Sequence, residues 1–287
     1  MNKELVRQLF WSSRPISWIN TAYPFGAAYL FITKSIDVTL VIGFLFFLIP
    51  YNLLMYGVND VFDYESDLRN PRKGGIEGAL LHPKWHRPTL IAAFSLCVPF
   101  LMYLLAVGTV ANNLWLGLFV FAVIAYSAKG MRFKEKPFLD SLTSASHFVG
   151  PMIYGISLAG GNLADPKIVL MIASFTLWGV ASHAFGAVQD VIADREANIS
   201  SIATAIGARA TTRFAFVCYL LAGVLVVFTG WPAGLVALAA APYLAIIAPF
   251  WNITDATCET ANRGWKRFIW LNFFAGFVVT LVLIVTF

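Results

Sequence analysis

Charged residues are scarce in this chain. They make up 12% of its 287 residues, about half of the roughly 25% found in an average soluble domain. That shortage weighs against a soluble globular enzyme. It excludes disorder as well, because too little of the chain is polar to keep it solvated. Cysteines number three, Cys97, Cys218 and Cys258. An odd count without ligand spacing implies neither a disulfide framework nor a zinc site. What is abundant is apolar surface, 59% of the residues, with 25 Phe, 10 Tyr and 9 Trp. This is the composition of an all-α polytopic membrane protein. The aromatics suit interfacial belts and packing against lipid or a greasy ligand.

Nine apolar stretches are long enough to cross or nearly cross a bilayer: 16–33, 38–58, 89–107, 114–127, 139–159, 168–188, 212–229, 233–250 and 268–287. The fourth is short, and its start is expected nearer Gly108. Helices are required, because an open strand in hydrocarbon leaves its backbone groups unpaired. The first stretch follows basic residues without a convincing cleavage site, so it is expected to stay in the mature protein. One transmembrane domain over 1–287 is expected.

With the N-terminus in the cytoplasm, every Lys and Arg except Lys34 and Lys167 falls on the inner side. The positive-inside rule therefore favours that orientation, and with it the plasma (inner) membrane with its working face cytoplasmic. The net charge of +5 records topology, plus whatever anion the inner face binds. It does not indicate nucleic acid.

The acids lie on the same side, apart from Asp37 and Asp165. One group is Asn59-Asp60-Val61-Phe62-Asp63-Tyr64-Glu65-Ser66-Asp67 at the inner end of the second stretch. On a helix Asn59, Asp63 and Asp67 share a face, with Asp60 beside them and Asn52 and Tyr56 extending the stripe into the membrane. The other group is Gln189-Asp190-Val191-Ile192-Ala193-Asp194-Arg195 at the inner end of the sixth. There His183, Ala187, Asp190 and Asp194 form the stripe. Two carboxylates one helical turn apart repel by roughly 3 kcal/mol at an effective dielectric of 20. Raised pKa values, basic partners or divalent cations must offset that. Hard oxygen ligands without His or Cys point to Mg²⁺ or Mn²⁺, held by carboxylates together with a substrate's phosphates. Phosphate also accounts for the basic residues on the same face. Arg132 and Lys134, after the fourth stretch, are placed to clamp a diphosphate. Arg14 is placed likewise. Arg72 and Lys73 precede Gly74-Gly75 in a loop that could close over phosphate.

The motifs at 59–67, 190–195 and Tyr126-Ser127-x-x-x-x-Arg132-x-Lys134 resemble, in order and along essentially the whole chain, the UbiA superfamily of intramembrane prenyltransferases. The resemblance implies nine helices around a lipid-accessible cavity, with Mg²⁺ bridging two aspartate motifs through the diphosphate of an isoprenyl donor. It assigns Asn59, Asp63, Asp67, Asp190 and Asp194 to metal, these aspartates also to catalysis, and Tyr126, Arg132 and Lys134 to diphosphate; Asp60, beside them in the same group, is a further metal candidate. One departure is the loop Arg69-Asn70-Pro71-Arg72-Lys73, where many members are Arg-Pro-rich. Further stretches, Ser13-Arg14-Pro15-Ile16-Ser17-Trp18, Ile49-Pro50-Tyr51-Asn52, Gly186-Ala187-Val188-Gln189-Asp190 and Trp251-Asn252-Ile253-Thr254-Asp255-Ala256, look like the lycopene elongases of fifty-carbon carotenoid synthesis. That implies dimethylallyl diphosphate as donor and a hydrophobic polyene as acceptor, within membrane lipid.

Asn20, Asn52, Tyr56, Ser144, His147 and His183 are the candidates for lining an acceptor cavity. Tyr56, Phe62, Tyr126 and Phe185 are candidates for facing an allylic cation. A prenyltransferase with a quinone-type or other aromatic acceptor is the alternative enzyme. A transporter with an acidic vestibule is the alternative of another class, although the span centres hold no acids. The acidic segment holding both Asp-Gly and Ala-Arg that marks a CDP-alcohol phosphotransferase is absent.

Overall fold

The computed structural model describes residues 3–64, 68 and 80–286. All of its described elements are helical. They are α1 (Lys3–Ser12), α2 (Trp18–Thr33), α3 (Val38–Leu48), α4 (Pro50–Phe62), α5 (His86–Val107), α6 (Val110–Ser127), α7 (Leu139–Leu158), α8 (Pro166–Val188), α9 (Val191–Glu196), α10 (Ile202–Ile206), α11 (Ala208–Val227), α12 (Ala240–Ile247) and α13 (Asn262–Thr286). Short 3-10 turns flank several of them.

Among the described residues, seven helical segments are long and apolar enough to cross a bilayer: Val38–Phe62, Pro83–Val107, Val110–Ser127, Pro166–Val188, Ala208–Val227, Ala233–Phe250 and Asp255–Thr286. The other two expected stretches are helical but fall short. α2 has 16 residues, about 24 Å of helix against roughly 30 Å of hydrocarbon. α7 carries Asp140, Ser141, Thr143, Ser144, Ser146 and His147 in its first half. The fourth helix starts ahead of its apolar stretch, near Gly108 as expected, at a capping box. Thr109 caps α6, accepting from the Asn112 N–H, while Asn112 Oδ1 accepts from the Thr109 N–H at 2.7 Å.

The chain folds as two compact units, one of residues 1–132 with 150–161, the other of 133–149 with 162–287. In the first, the core is built on rings. Phe25 lies 5.1 Å from Phe47, which lies 5.1 Å from Tyr51. α2 and α3 approach closely enough for this because Gly43 has no side chain: its Cβ would stand 2.2 Å from the Phe25 ring. In the second unit, Trp178, Trp265 and Phe268 stack, and Tyr219 stacks on Tyr243 at 5.0 Å. Phe185 is packed in that core against Phe250. It serves as core packing there, not as a face offered to a cation.

The span Val38–Phe62 is broken where Pro50, lacking an N–H, opens α4. The carbonyls at the end of α3 need other donors. Asn52 supplies them: its Nδ2 lies 2.8 Å from Phe47 O and 3.1 Å from Leu48 O, and 2.6 Å from the Thr21 hydroxyl. Thr21 in turn reaches Phe47 O at 2.7 Å. Asn52 is fully buried, so its amide secures the joint between the half-spans instead of facing an acceptor. Asn52→Leu keeps the volume and removes these donors. It should cost about 1–3 kcal/mol, seen as a lower unfolding temperature in detergent. An unchanged midpoint would show that the joint does not depend on this amide.

Candidate functional site

The first acidic group does not continue as one helical face. α4 ends at Phe62, and Asp63 is its C-cap, its N–H still bonded to Asn59 O at 2.9 Å. Asn59 Nδ2 donates to Asp63 Oδ2 at 2.6 Å and to Ser127 Oγ at 2.9 Å. The asparagine thus fixes the aspartate and ties α4 to the end of α6. Asp67, Arg72 and Lys73 lie outside the described residues.

Both described aspartates of this group are buried, and each has a guanidinium. Arg14 Nη2 lies 3.2 Å from Asp60 Oδ1, and its guanidinium sits 4.2 Å over the Tyr56 ring. Arg132 Nη2 lies 3.6 Å from Asp63 Oδ1, while its Nη1 approaches Phe62 O at 3.4 Å. Of the expected ways to offset the repulsion, basic partners are therefore the ones in place. Both arginines occupy left-handed backbone, Arg14 at φ 49° and Arg132 at φ 41°. Arg132 follows a turn in which Ala128 O accepts from both the Met131 and Arg132 N–H groups. Tyr126 is half-buried near the end of α6, and Lys134 lies in the 3-10 turn Phe133–Glu135 of the second unit.

In the second unit Asp190 stands at a joint between α8 and α9, and one turn carries it to Asp194, whose N–H bonds Asp190 O at 2.8 Å. The expected one-turn spacing is kept, although the helix is not continuous. Arg195 turns away to Asp255, at 2.7 Å, and to Thr204 O. The other Asp255 oxygen accepts from the Ala208 N–H that opens α11. Gln189 is anchored by Asn262 at 2.6 Å and by Gly186 O. The joint holding Asp190 is thus braced from three sides.

Ser127 and Asp255 stand in stretches that carry the resemblance but had no role assigned there, because their partners lie 68 and 60 positions away. A third unforeseen group surrounds His183. Its Nδ1 lies 3.0 Å from Ser141 Oγ, which lies 3.2 Å from Asp140 Oδ1. Asp140 is fully buried. It also accepts from the Ser141 N–H at 2.6 Å and from the Ile202 N–H at 2.7 Å. Asn20 and Ser144 are half-buried and His147 is buried.

Among the described residues, no three His, Cys, Asp or Glu side chains gather as a metal cage. The donors at each acidic group are hard oxygens. Mg²⁺ is ordinarily held by one or two carboxylates plus substrate phosphates, and this donor set fits it.

A family profile described as the UbiA prenyltransferase family matches residues 22–284. The chain is 57% identical over 98% of its length to the C(50) beta-cyclic carotenoids biosynthesis protein LbtBC of a Dietzia species, of which it covers 65%, just under two thirds. It is 56% identical to the lycopene elongase/hydratase of Corynebacterium glutamicum over 98% of both chains. Among solved structures it is similar to a UbiA homolog from Archaeoglobus fulgidus bound to DMAPP and Mg²⁺. That TM-score is 0.69 with 16% identity, covering 95% of this chain and 99% of the other. At that identity the likeness speaks for the fold alone.

The Arg14–Asp60 pair yields a test of its own. Asp60's side chain is wholly buried and Arg14's is 18% exposed. Removing one member of a buried pair costs about 3 kcal/mol or more, because the other is left charged in a low dielectric. Arg14→Met should lower the unfolding temperature in detergent, and adding Asp60→Asn should recover most of the loss. A double variant no more stable than Arg14→Met would show that the arginine acts through other contacts.

Proposed function

The chain belongs to the UbiA prenyltransferase family, and from that premise we propose that it transfers the five-carbon group of dimethylallyl diphosphate to lycopene, on the way to fifty-carbon carotenoids. The observation that carries this reading is the 56% identity to a lycopene elongase/hydratase over 98% of both chains. Family membership makes the chain a prenyltransferase in the membrane and removes the transporter alternative. The one family match, over residues 22–284, runs through both compact units, and we take them as a single transmembrane domain. The distribution of basic residues supports a cytoplasmic working face in the plasma membrane.

We assign Asn59, Asp60, Asp63, Asp190 and Asp194, by motif, as the ligands that would hold Mg²⁺, with Mn²⁺ as a substitute of the same hard-donor preference. Asp67 joins them by motif and lies outside the described residues. When bound, the metal would neutralise charge on the departing diphosphate. The chain's own part is electrostatic. Arg14 and Arg132 hold their guanidinium groups at Asp60 and Asp63, where a diphosphate can draw them as donors. Lys134 and Tyr126 are assigned to the same anion, as are Arg72 and Lys73 outside the described residues. Ionisation leaves an allylic cation. Tyr56, already under a guanidinium at 4.2 Å, offers a face suited to positive charge. The apolar surroundings keep out water that would quench the cation early.

The acceptor follows from what the spans lack. An aromatic acid needs a cation for its carboxylate, and the basic residues sit at the ends of the spans. A polyene needs only apolar area, at about 25 cal/mol per Å² buried.

Purified protein in lipid, given Mg²⁺ and dimethylallyl diphosphate, should alkylate lycopene and leave 4-hydroxybenzoate untouched. Prenylation of the aromatic acid with lycopene inert would move the chain to the aromatic-acceptor branch. EDTA should abolish turnover. Asp63→Ala and Asp190→Ala should each remove nearly all of it while the protein still inserts. Full activity in either variant would remove that residue from the site.

A further inference from the structure

Alkylation of an alkene leaves a positive charge that must be discharged. The new carbon–carbon bond forms at C1 of the donor, and a tertiary cation appears on the acceptor. The reaction ends when a proton leaves a neighbouring carbon, restoring an alkene, or when water adds and loses its own proton. Either ending releases one proton and needs a base within reach.

The described residues hold one built proton acceptor inside the second unit. Asp140 is a fully buried carboxylate and can only accept hydrogen bonds. Ser141 Oγ lies 3.2 Å from it and therefore donates to it. The same oxygen is 3.0 Å from His183 Nδ1, so it accepts from an Nδ1–H. That order places the imidazole's lone pair on Nε2, at the opposite edge of the ring. A positive charge arising on the ring is then met by the Asp140 carboxylate through one hydroxyl.

The position of the ring is as informative as its hydrogen bond. From Ala181 to Asp190 almost every residue is buried. The exceptions are His183, Ala187 and Asp190, spaced by four and then three residues and therefore on one face. This accessible strip runs from the aspartate, at the joint just beyond α8, about 10 Å back to the histidine, past a side chain that is only a methyl. A short isoprenoid ionised at Asp190 would have its coupling carbon partway along this strip, with the acceptor's charge developing toward His183.

We propose that His183 is the base of the terminating step, its Nε2 taking the proton lost from the coupled cation or from the water that adds to it, with Ser141 and Asp140 as positioning residues. The step balances. The C–H or O–H electron pair stays with the product, the proton goes to Nε2, and the imidazolium later passes it to the released diphosphate or to solvent. The proposal rests on the prenyl-transfer reading above and deepens it by naming where the last proton goes.

The test separates ionisation from termination. Protein in lipid nanodiscs receives Mg²⁺, dimethylallyl diphosphate and lycopene, and diphosphate release is measured beside the alkylated products and their ratio of alkene isomers to hydrated forms. His183→Gln should leave diphosphate release near the wild-type rate. Loss of a general base should lower the coupled products by about 100-fold, the diverted donor appearing as its alcohol. Ser141→Ala removes a single hydroxyl and should give a smaller loss, about tenfold, with an altered isomer ratio and an unchanged KM for the donor. A wild-type yield per diphosphate and isomer ratio in His183→Gln overturns the proposal. So does a parallel loss of diphosphate release, which would make the histidine structural. Should His183→Gln fail to fold, an unchanged isomer ratio in Ser141→Ala overturns it. If the wild-type protein alkylates an aromatic compound instead of lycopene, the acceptor reading fails and the base is tested unaltered, because an alkylated ring must lose a proton too.

Discussion

The constraint on which the first unit depends is that a carboxylate at the end of an apolar helix cannot be left alone. Taking such a group out of water costs several kcal/mol even after relaxation. Asp60 and Asp63 lie three residues apart, both buried. The structure meets the cost twice with the same device: a turn outside the helix bends through a left-handed residue, and that residue is the arginine that comes to the acid. Arg14 and Arg132 both sit at positive φ, a conformation costing a side-chain-bearing residue on the order of 1–2 kcal/mol. Such strain persists only where the surroundings enforce it, and it concentrates at working sites. At both positions the side chain lies against a buried carboxylate.

That arrangement suits a site whose ligands arrive as opposite charges together. A diphosphate and its metal bring anion and cation in one event. In the proposed reading the guanidinium groups would pass to the anion and the carboxylates to the cation, so that each would keep a partner of opposite charge. A site of bare carboxylates would have to be held apart by its fold. A site of bare arginines would attract any phosphate. Pairing them keeps the unliganded state neutral in sum and leaves the tighter set of partners to the substrate.

Much of the fold was legible because lipid imposes length and polarity on every span. The apolar stretches reappear as helices, and the fourth starts near Gly108, ahead of its apolar run, as its short length required. The break at Pro50 was not read, nor the use of Asn52 to repair it. An asparagine one turn inside a membrane helix reads equally as a ligand of a substrate or of a carbonyl, and only the fold decides. In the site, the one-turn relation of Asp190 to Asp194 was visible in spacing alone. The partner of Asp60, by contrast, lies 46 residues away across the fold, and Asp63 proves to be a cap rather than a point on a continuous face. Periodicity reports which residues share a helix face, but it does not report where the helix stops.

The same distinction explains why the group around His183 escaped notice. Asp140 counted only as one more acid on the inner side, and its three hydrogen bonds come from Ser141 and from Ile202, 62 positions on. Those bonds also explain why the carboxylate stands back from the histidine. A direct Asp–His contact would favour the charged ring more strongly than one relayed through a hydroxyl. With a hydroxyl between them and the Ile202 amide taking part of the negative charge, the carboxylate orients the ring more than it protonates it. Beside a reacting carbocation that is the useful compromise. The ring stays neutral while the allylic cation forms, so it does not repel it, and it becomes charged only as the cation is discharged. The positive charge then passes from carbon to nitrogen without leaving the strip that leads back to Asp190.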